Sequence, residues 1–126
     1  YNLFEKLKLE NFSLMPGSES KLLKGLELGC SGIITATCNV TAQLARRVYD
    51  DFFSGKEQMY NQKLIDVRNA FEKYNLISAL HTFKSKEDKI YENVLPPLGL
   101  LESESDNNLM ENLKKLDFQI KSKLAA

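Results

Sequence analysis

Two short stretches of the chain combine apolar side chains with the turn signals that flank β-strands. Residues 11–15 form an apolar run that Pro16-Gly17, a typical turn dipeptide, brings to an end. Residues 32–37 are uncharged and rich in β-branched side chains, without alternation of apolar and polar positions. Such a pattern is typical of a strand that is buried on both faces. We therefore predict a strand in each stretch.

Helical spacing of apolar residues follows each predicted strand. Ser18 is placed to cap a leucine-rich helix, and Gly29 is placed to end it. Asn39 is placed to cap a second helix, which Ser54-Gly55 ends. One face of the second helix is apolar, with Val40, Leu44, Val48 and Phe52.

Beyond Lys56 the periodicity predicts helices only. Pro96-Pro97 interrupts the helical pattern, because proline lacks the backbone N–H that a helix needs. Residues 103–106, with the sequence SESD, resemble a capping box and predict the start of a last helix. Its buried stripe is predicted to contain Leu109, Leu113, Leu116, Ile120 and Leu124.

The order strand, helix, strand and then helices predicts an α/β fold with a parallel, right-handed strand–helix–strand unit. Two strands of about five residues make a poor sheet by themselves. The second strand needs a neighbour on each side, and the chain offers one other strand. We therefore expect the chain to be a piece of a larger α/β domain.

Composition and charge exclude several classes of function. The 17 basic residues balance 17 acidic ones and are scattered along the chain, which argues against binding to nucleic acid or to an anionic membrane. No apolar stretch approaches the ~20 residues that span a bilayer. Cys30 and Cys38 have no histidine nearby, so we expect reduced thiols in a cytoplasmic protein and no metal site.

Residues 15–40 carry a resemblance to a known family. They read MPGSE, then a leucine-rich helix, then LGCSGIITATCNV, and they resemble the seventh and eighth units of the dihydrodipicolinate synthase/N-acetylneuraminate lyase family. Residues 76–81 (LISALH) and 94–98 (VLPPL) are similar to that family's helical extension and its proline-containing loop. The resemblance implies the C-terminal fragment of a (β/α)8 TIM barrel, with residues 1–54 as the last two strand–helix units and 55–126 as a C-terminal helical extension.

The resemblance also implies a chemistry, in which a lysine forms a Schiff base with a 2-keto acid, commonly pyruvate. Such a lysine must be partly neutral near pH 7, which requires burial or nearby positive charge. All 14 lysines fall outside the two predicted strands, and the family's lysine belongs to the sixth strand, which would precede Tyr1. We expect this chain alone to be inactive, the full-length protein to be a homo-oligomer such as a tetramer, and no metal or organic cofactor to be needed.

The residues that the resemblance places in the substrate pocket follow the two predicted strands. Active sites of such barrels lie at the C-terminal ends of the strands. The expected substrate-binding residues are Gly17, Ser18, Glu19, Ser20, Ile34 and Thr35.

Within this set, the resemblance implies that Glu19 accepts hydrogen bonds from substrate hydroxyls, that Gly17 offers its backbone, and that the Ile34 backbone lies near the lysine. The sequence departs from the family's lyase branch at Ser20, where that branch has an acidic residue, and at Ala36, where it has serine. These departures argue against sialic acid as the substrate. Three of these residues also have a structural interpretation: Glu19 as a helix-dipole partner, Gly17 as a turn residue and Ile34 as part of the core.

A second hypothesis stays open, that of a non-enzymatic helical interaction domain whose strands pair with another chain. His81, the single histidine, has no Ser, Cys or acidic partner at a spacing typical of a catalytic triad or a metal site. We therefore expect it to lie at the surface or to serve helix packing. A lysine-bearing strand immediately before Tyr1 would favour the enzyme over the interaction domain.

Overall fold

The computed structural model describes residue 2 and residues 10–119. Between residues 10 and 119 it contains five α-helices: α1 (Leu22–Glu27), α2 (Cys38–Phe53), α3 (Asn61–Glu72), α4 (Leu76–Ser85) and α5 (Ser103–Lys115). Two 3-10 helices, Glu19–Lys21 and Lys89–Glu92, precede α1 and follow α4. The chain forms two compact units, Tyr1–Ile65 and Asp66–Ala126. The predicted apolar positions Ile120 and Leu124 lie outside the described residues.

The prediction of two β-strands is wrong, since the described residues contain no strand. The two segments nevertheless lie side by side and run in the same direction. Leu14 O accepts a hydrogen bond from Ser31 N at 3.0 Å, and Pro16 O accepts one from Ile34 N at 3.2 Å. The two donors are three residues apart and the two acceptors are two apart, whereas a regular parallel ladder is evenly spaced. Gly32, at φ +151°, lies within the longer spacing and breaks the register.

The predicted fold class is corrected accordingly: the described part of the chain is helical, and it contains neither an α/β unit nor the strands of a TIM-barrel fragment. Two extended segments joined by two hydrogen bonds do not make a sheet, because a pair of strands is marginal without further neighbours. The uncharged, β-branched pattern of residues 32–37 predicts burial on both faces. In the structure the Ile34 side chain is 70% exposed. The described residues therefore do not cover this segment on both faces.

Both glycines that were predicted to end helices do so. Gly29 follows α1 at φ +87°, and Gly55 follows α2 at φ +64°, backbone angles that glycine adopts with little strain. At the end of α1, Cys30 N donates to Gly25 O at 2.8 Å, which satisfies a carbonyl that the helix leaves open. The local sequence around each glycine therefore determines where α1 and α2 end.

The predicted helix starts are less accurate. Ser18 lies at the N-cap of the first 3-10 helix but makes no capping hydrogen bond. The N-cap of α2 is Thr37, and the Asn39 side chain instead donates to Ala36 O at 2.8 Å. The N-cap of α5 is Glu102, again without a side-chain hydrogen bond, so the predicted capping box is not formed.

In the first unit, α1 packs against α2. Leu44 and Val48 from the predicted apolar face of α2 are buried, and Val40 and Phe52 are partly buried. The apolar core of this unit consists of Leu22, Leu26, Cys30, Leu44, Ala45, Val48 and Leu64.

In the second unit, α5 and the second 3-10 helix pack against α4. The Phe83 ring meets Phe71 edge-on with centroids 5.4 Å apart, and it stacks on Phe118 at 5.9 Å. Buried Thr82 accepts a hydrogen bond from Leu101 N at 2.8 Å and so fixes the segment that leads into α5. No helix in the described residues is long and apolar enough to cross a lipid bilayer.

Candidate functional site

The candidate site lies in the first unit, where two turns meet. One turn, residues 17–20, leads into α1, and the other, residues 34–37, leads into α2. The hydrogen bond from Ile34 N to Pro16 O brings them together. A Cβ atom built on Gly17 would lie 3.9 Å from Ile34 O, an ordinary contact distance. The Gly17 and Ile34 backbones are therefore neighbours, as the predicted site requires, although packing does not itself demand glycine at position 17.

Glu19 is fully buried between these turns, with a side chain that has no solvent-exposed area. Its Oε1 accepts a hydrogen bond from Thr35 Oγ1 at 2.8 Å and another from Thr41 Oγ1 at 2.8 Å. Thr37, also fully buried, contributes a further side-chain hydrogen bond. A buried carboxylate is tolerated when such donors replace its water.

The electrostatic effects on the Glu19 carboxyl oppose each other. Burial raises its pKa, because a charged group is disfavoured away from water. Hydrogen bonds from Thr37, Thr35, the Glu19 backbone and Thr41 lower it, and together they prevail, so the pKa lies below its ordinary value of 4.5. Glu19 is therefore ionised at neutral pH.

The Thr35 hydroxyl is engaged on all sides. It donates to Glu19 Oε1, accepts from Cys38 N at 3.2 Å and lies 3.0 Å from Thr37 Oγ1. Cys38 is the first residue of α2, so Thr35 also satisfies one of the N–H groups that the start of a helix leaves open. The arrangement joins Glu19 to the N-terminus of α2 through the Thr35 side chain.

The groups that face solvent around the two turns include small hydroxyls and apolar side chains. Ser20 is exposed and Ser18 partly so, and their Oγ atoms lie 3.0 Å apart. Ile34 projects its side chain outward, 70% exposed, next to exposed Ala36. A ligand at this surface would meet Ser18, Ser20, Ile34 and the backbone between them.

The structure thus brings together all six residues predicted from the sequence. It adds two that sequence reasoning missed, Thr37 and Thr41. They are spaced i, i+4 and continue toward the N-terminus the buried face of α2 that contains Leu44 and Val48. Polar residues at the start of an otherwise apolar helical stripe are the signal that could have identified them.

A groove of about 350 Å³ is also present in the first unit. Most of its lining is apolar, including Met15, Ile33, Ala42, Ala45 and Tyr49. None of the six predicted site residues lines it.

None of the described lysines is buried. An amine nucleophile needs desolvation or nearby positive charge. His81 lies in α4 with its Nδ1 2.8 Å from Tyr91 O, in the second unit. The described residues hold no group of three His, Cys, Asp or Glu side chains suited to a metal ion.

Comparison with known proteins assigns the family. The sequence profile of the dihydrodipicolinate synthetase family matches residues 2–116, which is nearly the whole chain. The chain belongs to this family. No curated protein is significantly similar to this family member in sequence.

A solved structure of the same family has a similar fold. It is YagE, a prophage protein of the dihydrodipicolinic acid synthase family from E. coli K12, determined in complex with pyruvate. The TM-score is 0.69 at 20% sequence identity, over 85% of this chain. The matched region covers 38% of the YagE chain, so the present family member spans well under half of that protein.

Proposed function

We propose that this chain is the C-terminal portion of a Schiff-base-forming lyase or synthase that acts on a 2-keto acid such as pyruvate. The family match over residues 2–116 carries the proposal. The pyruvate complex of YagE supports pyruvate as the keto acid. The family match also argues against the alternative of a non-enzymatic helical interaction domain.

In the proposed reaction, the neutral Nζ of a lysine adds to the C2 carbonyl carbon of the keto acid, and water leaves to form an iminium ion. The C3–C4 bond then breaks. Its electron pair passes to the iminium and gives an enamine, while the C4 hydroxyl loses its proton and C4 leaves as an aldehyde. Protonation at C3 and addition of water then release the keto acid and restore the lysine. In the synthetic direction, the enamine carbon attacks an aldehyde instead.

This lysine is proposed to lie in the polypeptide that precedes Tyr1. The described lysines support this placement, because none of them is buried. The chain alone is then inactive. We further propose that the full-length protein is cytoplasmic and assembles as a homo-oligomer, as tetrameric family members do.

The chain's contribution is proposed to be one wall of the substrate pocket. The gathering of the predicted residues at two adjoining turns supports this role. Ser18 and Ser20 supply hydroxyls, and Gly17 and Ile34 supply backbone groups. Glu19 and Thr35 belong to the same wall.

Reductive trapping of the full-length protein tests the proposed function. The protein is incubated with pyruvate, treated with borohydride and weighed by intact-mass spectrometry. Borohydride delivers hydride to the imine carbon and leaves a stable secondary amine, so the mass should increase by one reduced pyruvyl group per chain. Samples with borohydride alone, and with acetone in place of pyruvate, are the controls. Absence of a pyruvate-dependent adduct would contradict the proposal.

A further inference from the structure

The buried hydroxyls around Glu19 are fully occupied by contacts within the protein. A threonine hydroxyl carries a single proton. The Thr35 proton is donated to Glu19 Oε1, and its oxygen accepts from Cys38 N. Neither the Thr35 proton nor the enclosed Glu19 carboxylate is left for a ligand at the surface.

The hydroxyl of Thr41, in α2, is likewise occupied by contacts within the protein. Its Oγ1 lies 2.8 Å from Glu19 Oε1 and 3.0 Å from Thr37 O, one helical turn before it. The single proton can serve one acceptor at a time, and an ionised carboxylate is the stronger acceptor. The charge on Glu19 therefore draws the Thr41 hydroxyl away from the backbone carbonyl.

These bonds connect parts of the chain that are distant in sequence. Glu19 is 16 residues from Thr35 and 22 residues from Thr41. One carboxylate thereby fastens the turn at residues 17–20 to the turn at residues 34–37 and to the first turns of α2. The backbones of Gly17 and Ile34 lie at the junction that it fastens.

We propose that Glu19, Thr37 and Thr41 are positioning residues, which hold the Gly17 and Ile34 backbones in the geometry that binds the keto acid. This inference rests on the proposed function. It assigns Glu19 an indirect role: the carboxylate orders the pocket wall through threonine hydroxyls and does not touch the substrate. The substrate meets the backbone groups and the Ser18 and Ser20 hydroxyls.

The test compares variants of the full-length protein. Thr41→Val keeps the shape of the side chain and removes the hydroxyl, whereas Thr41→Ser keeps the hydroxyl. Thr82→Val is the matched control, because Thr82 is also buried in a helix and donates to the carbonyl one turn earlier, at 2.8 Å from Ser78 O. Each variant is measured for its thermal midpoint and for the pyruvate concentration that gives half-maximal borohydride-trapped adduct.

Thr41→Val should raise the half-saturating pyruvate concentration about tenfold, the equivalent of one lost hydrogen bond. Thr41→Ser should stay within about twofold of the parent, and Thr82→Val should lower the thermal midpoint without changing pyruvate affinity. Glu19→Gln is the second variant, and it too should weaken pyruvate binding about tenfold, since it removes the charge that orders the hydroxyls.

The outcomes separate this inference from the proposed function. If the parent protein forms no adduct, the proposed function fails. If the parent forms an adduct and Thr41→Val or Glu19→Gln binds pyruvate as the parent does, the positioning role is wrong while the function stands. Equal weakening by Thr82→Val would also overturn the positioning role, because the effect would then follow from lost stability alone.

Discussion

At the scale of residues, one buried charge, the Glu19 carboxylate, connects separate segments of the first unit. Glu19 has no solvent-exposed side-chain area, yet it is ionised at neutral pH because threonine hydroxyls take the place of water. Removing one of these hydroxyls costs more than the hydrogen bond itself, since the buried carboxylate is left without a donor. The buried threonine hydroxyls and the buried carboxylate therefore satisfy each other's hydrogen-bonding groups.

The first prediction concerns the pH dependence of stability. The pKa of Glu19 in the folded protein lies below its ordinary value of 4.5, so the folded state binds fewer protons in mild acid than the unfolded state does. The stabilisation is complete above the unfolded pKa and is lost as pH falls through the folded pKa. We expect Glu19→Gln to lower the thermal midpoint at pH 7 and to flatten its decline as the pH falls below about 5.

Thermal unfolding of the full-length protein, followed by circular dichroism across this pH range, checks the prediction. Glu27→Gln is the control, because Glu27 is exposed and pairs with Lys24 at 3.2 Å on the surface. Surface ion pairs contribute little to stability. A Glu19→Gln curve parallel to that of the parent would show that the carboxylate does not supply this stabilisation.

At the scale of elements, one helix has a well-formed N-terminal cap. The Asn75 side chain, through Oδ1, accepts a hydrogen bond from Ser78 N at 3.1 Å at the start of α4. Asn75→Ala should destabilise the protein by about 1 kcal/mol, and Asn75→Asp should retain most of the stability. Chemical denaturation measures the difference.

The control for the cap is Asn69→Ala, since Asn69 is exposed in the interior of α3 and alanine favours helices. This substitution should leave stability unchanged or raise it slightly. If Asn75→Ala proved as neutral as Asn69→Ala, the cap would not stabilise α4.

The elements also show which structure can be predicted from local sequence. The ends of α1 and α2 were predictable, because Gly29 and Gly55 adopt positive φ values that suit glycine. The start of α2 was not, because Thr37 and Thr41 there serve a carboxylate some 20 residues away. The local sequence favoured Asn39 as the N-cap, whereas the helix in the structure begins after Thr37, next to the contact with Glu19.

The two predicted strands failed for a related reason. Their composition indicated a sheet, but a sheet forms through pairing, and pairing depends on neighbours that these residues do not provide within the described chain. The six residues that the resemblance supplied do lie together, and their binding of substrate stays a prediction. Thr37 and Thr41 were missed, although their polar side chains continue the apolar stripe of α2 toward its N-terminus.

At the scale of the whole molecule, the chain exposes large apolar side chains. Ile34 and Met59 are each 70% exposed, and Phe53 is 64% exposed. The groove along Met15, Ile33 and Tyr49 adds to this apolar surface. Apolar surface of this kind marks interaction sites or leads to association.

We therefore expect the 126-residue chain by itself to associate with increasing concentration. Sedimentation velocity across a concentration series measures this directly. The full-length protein at the same concentrations is the control and should give one discrete species. A monodisperse, cooperatively unfolding monomer of the isolated chain would show that it needs no further polypeptide to cover its apolar surface.

The central claim is that this chain forms the wall of a keto-acid site whose lysine lies elsewhere in the protein. Peptide mapping of the full-length protein, after trapping with pyruvate and borohydride, locates the modified residue. We predict one modified lysine, in a peptide that precedes Tyr1, and no site-specific adduct when the isolated chain is treated in the same way. Selective, saturable modification of any lysine between Lys6 and Lys123 would contradict the claim.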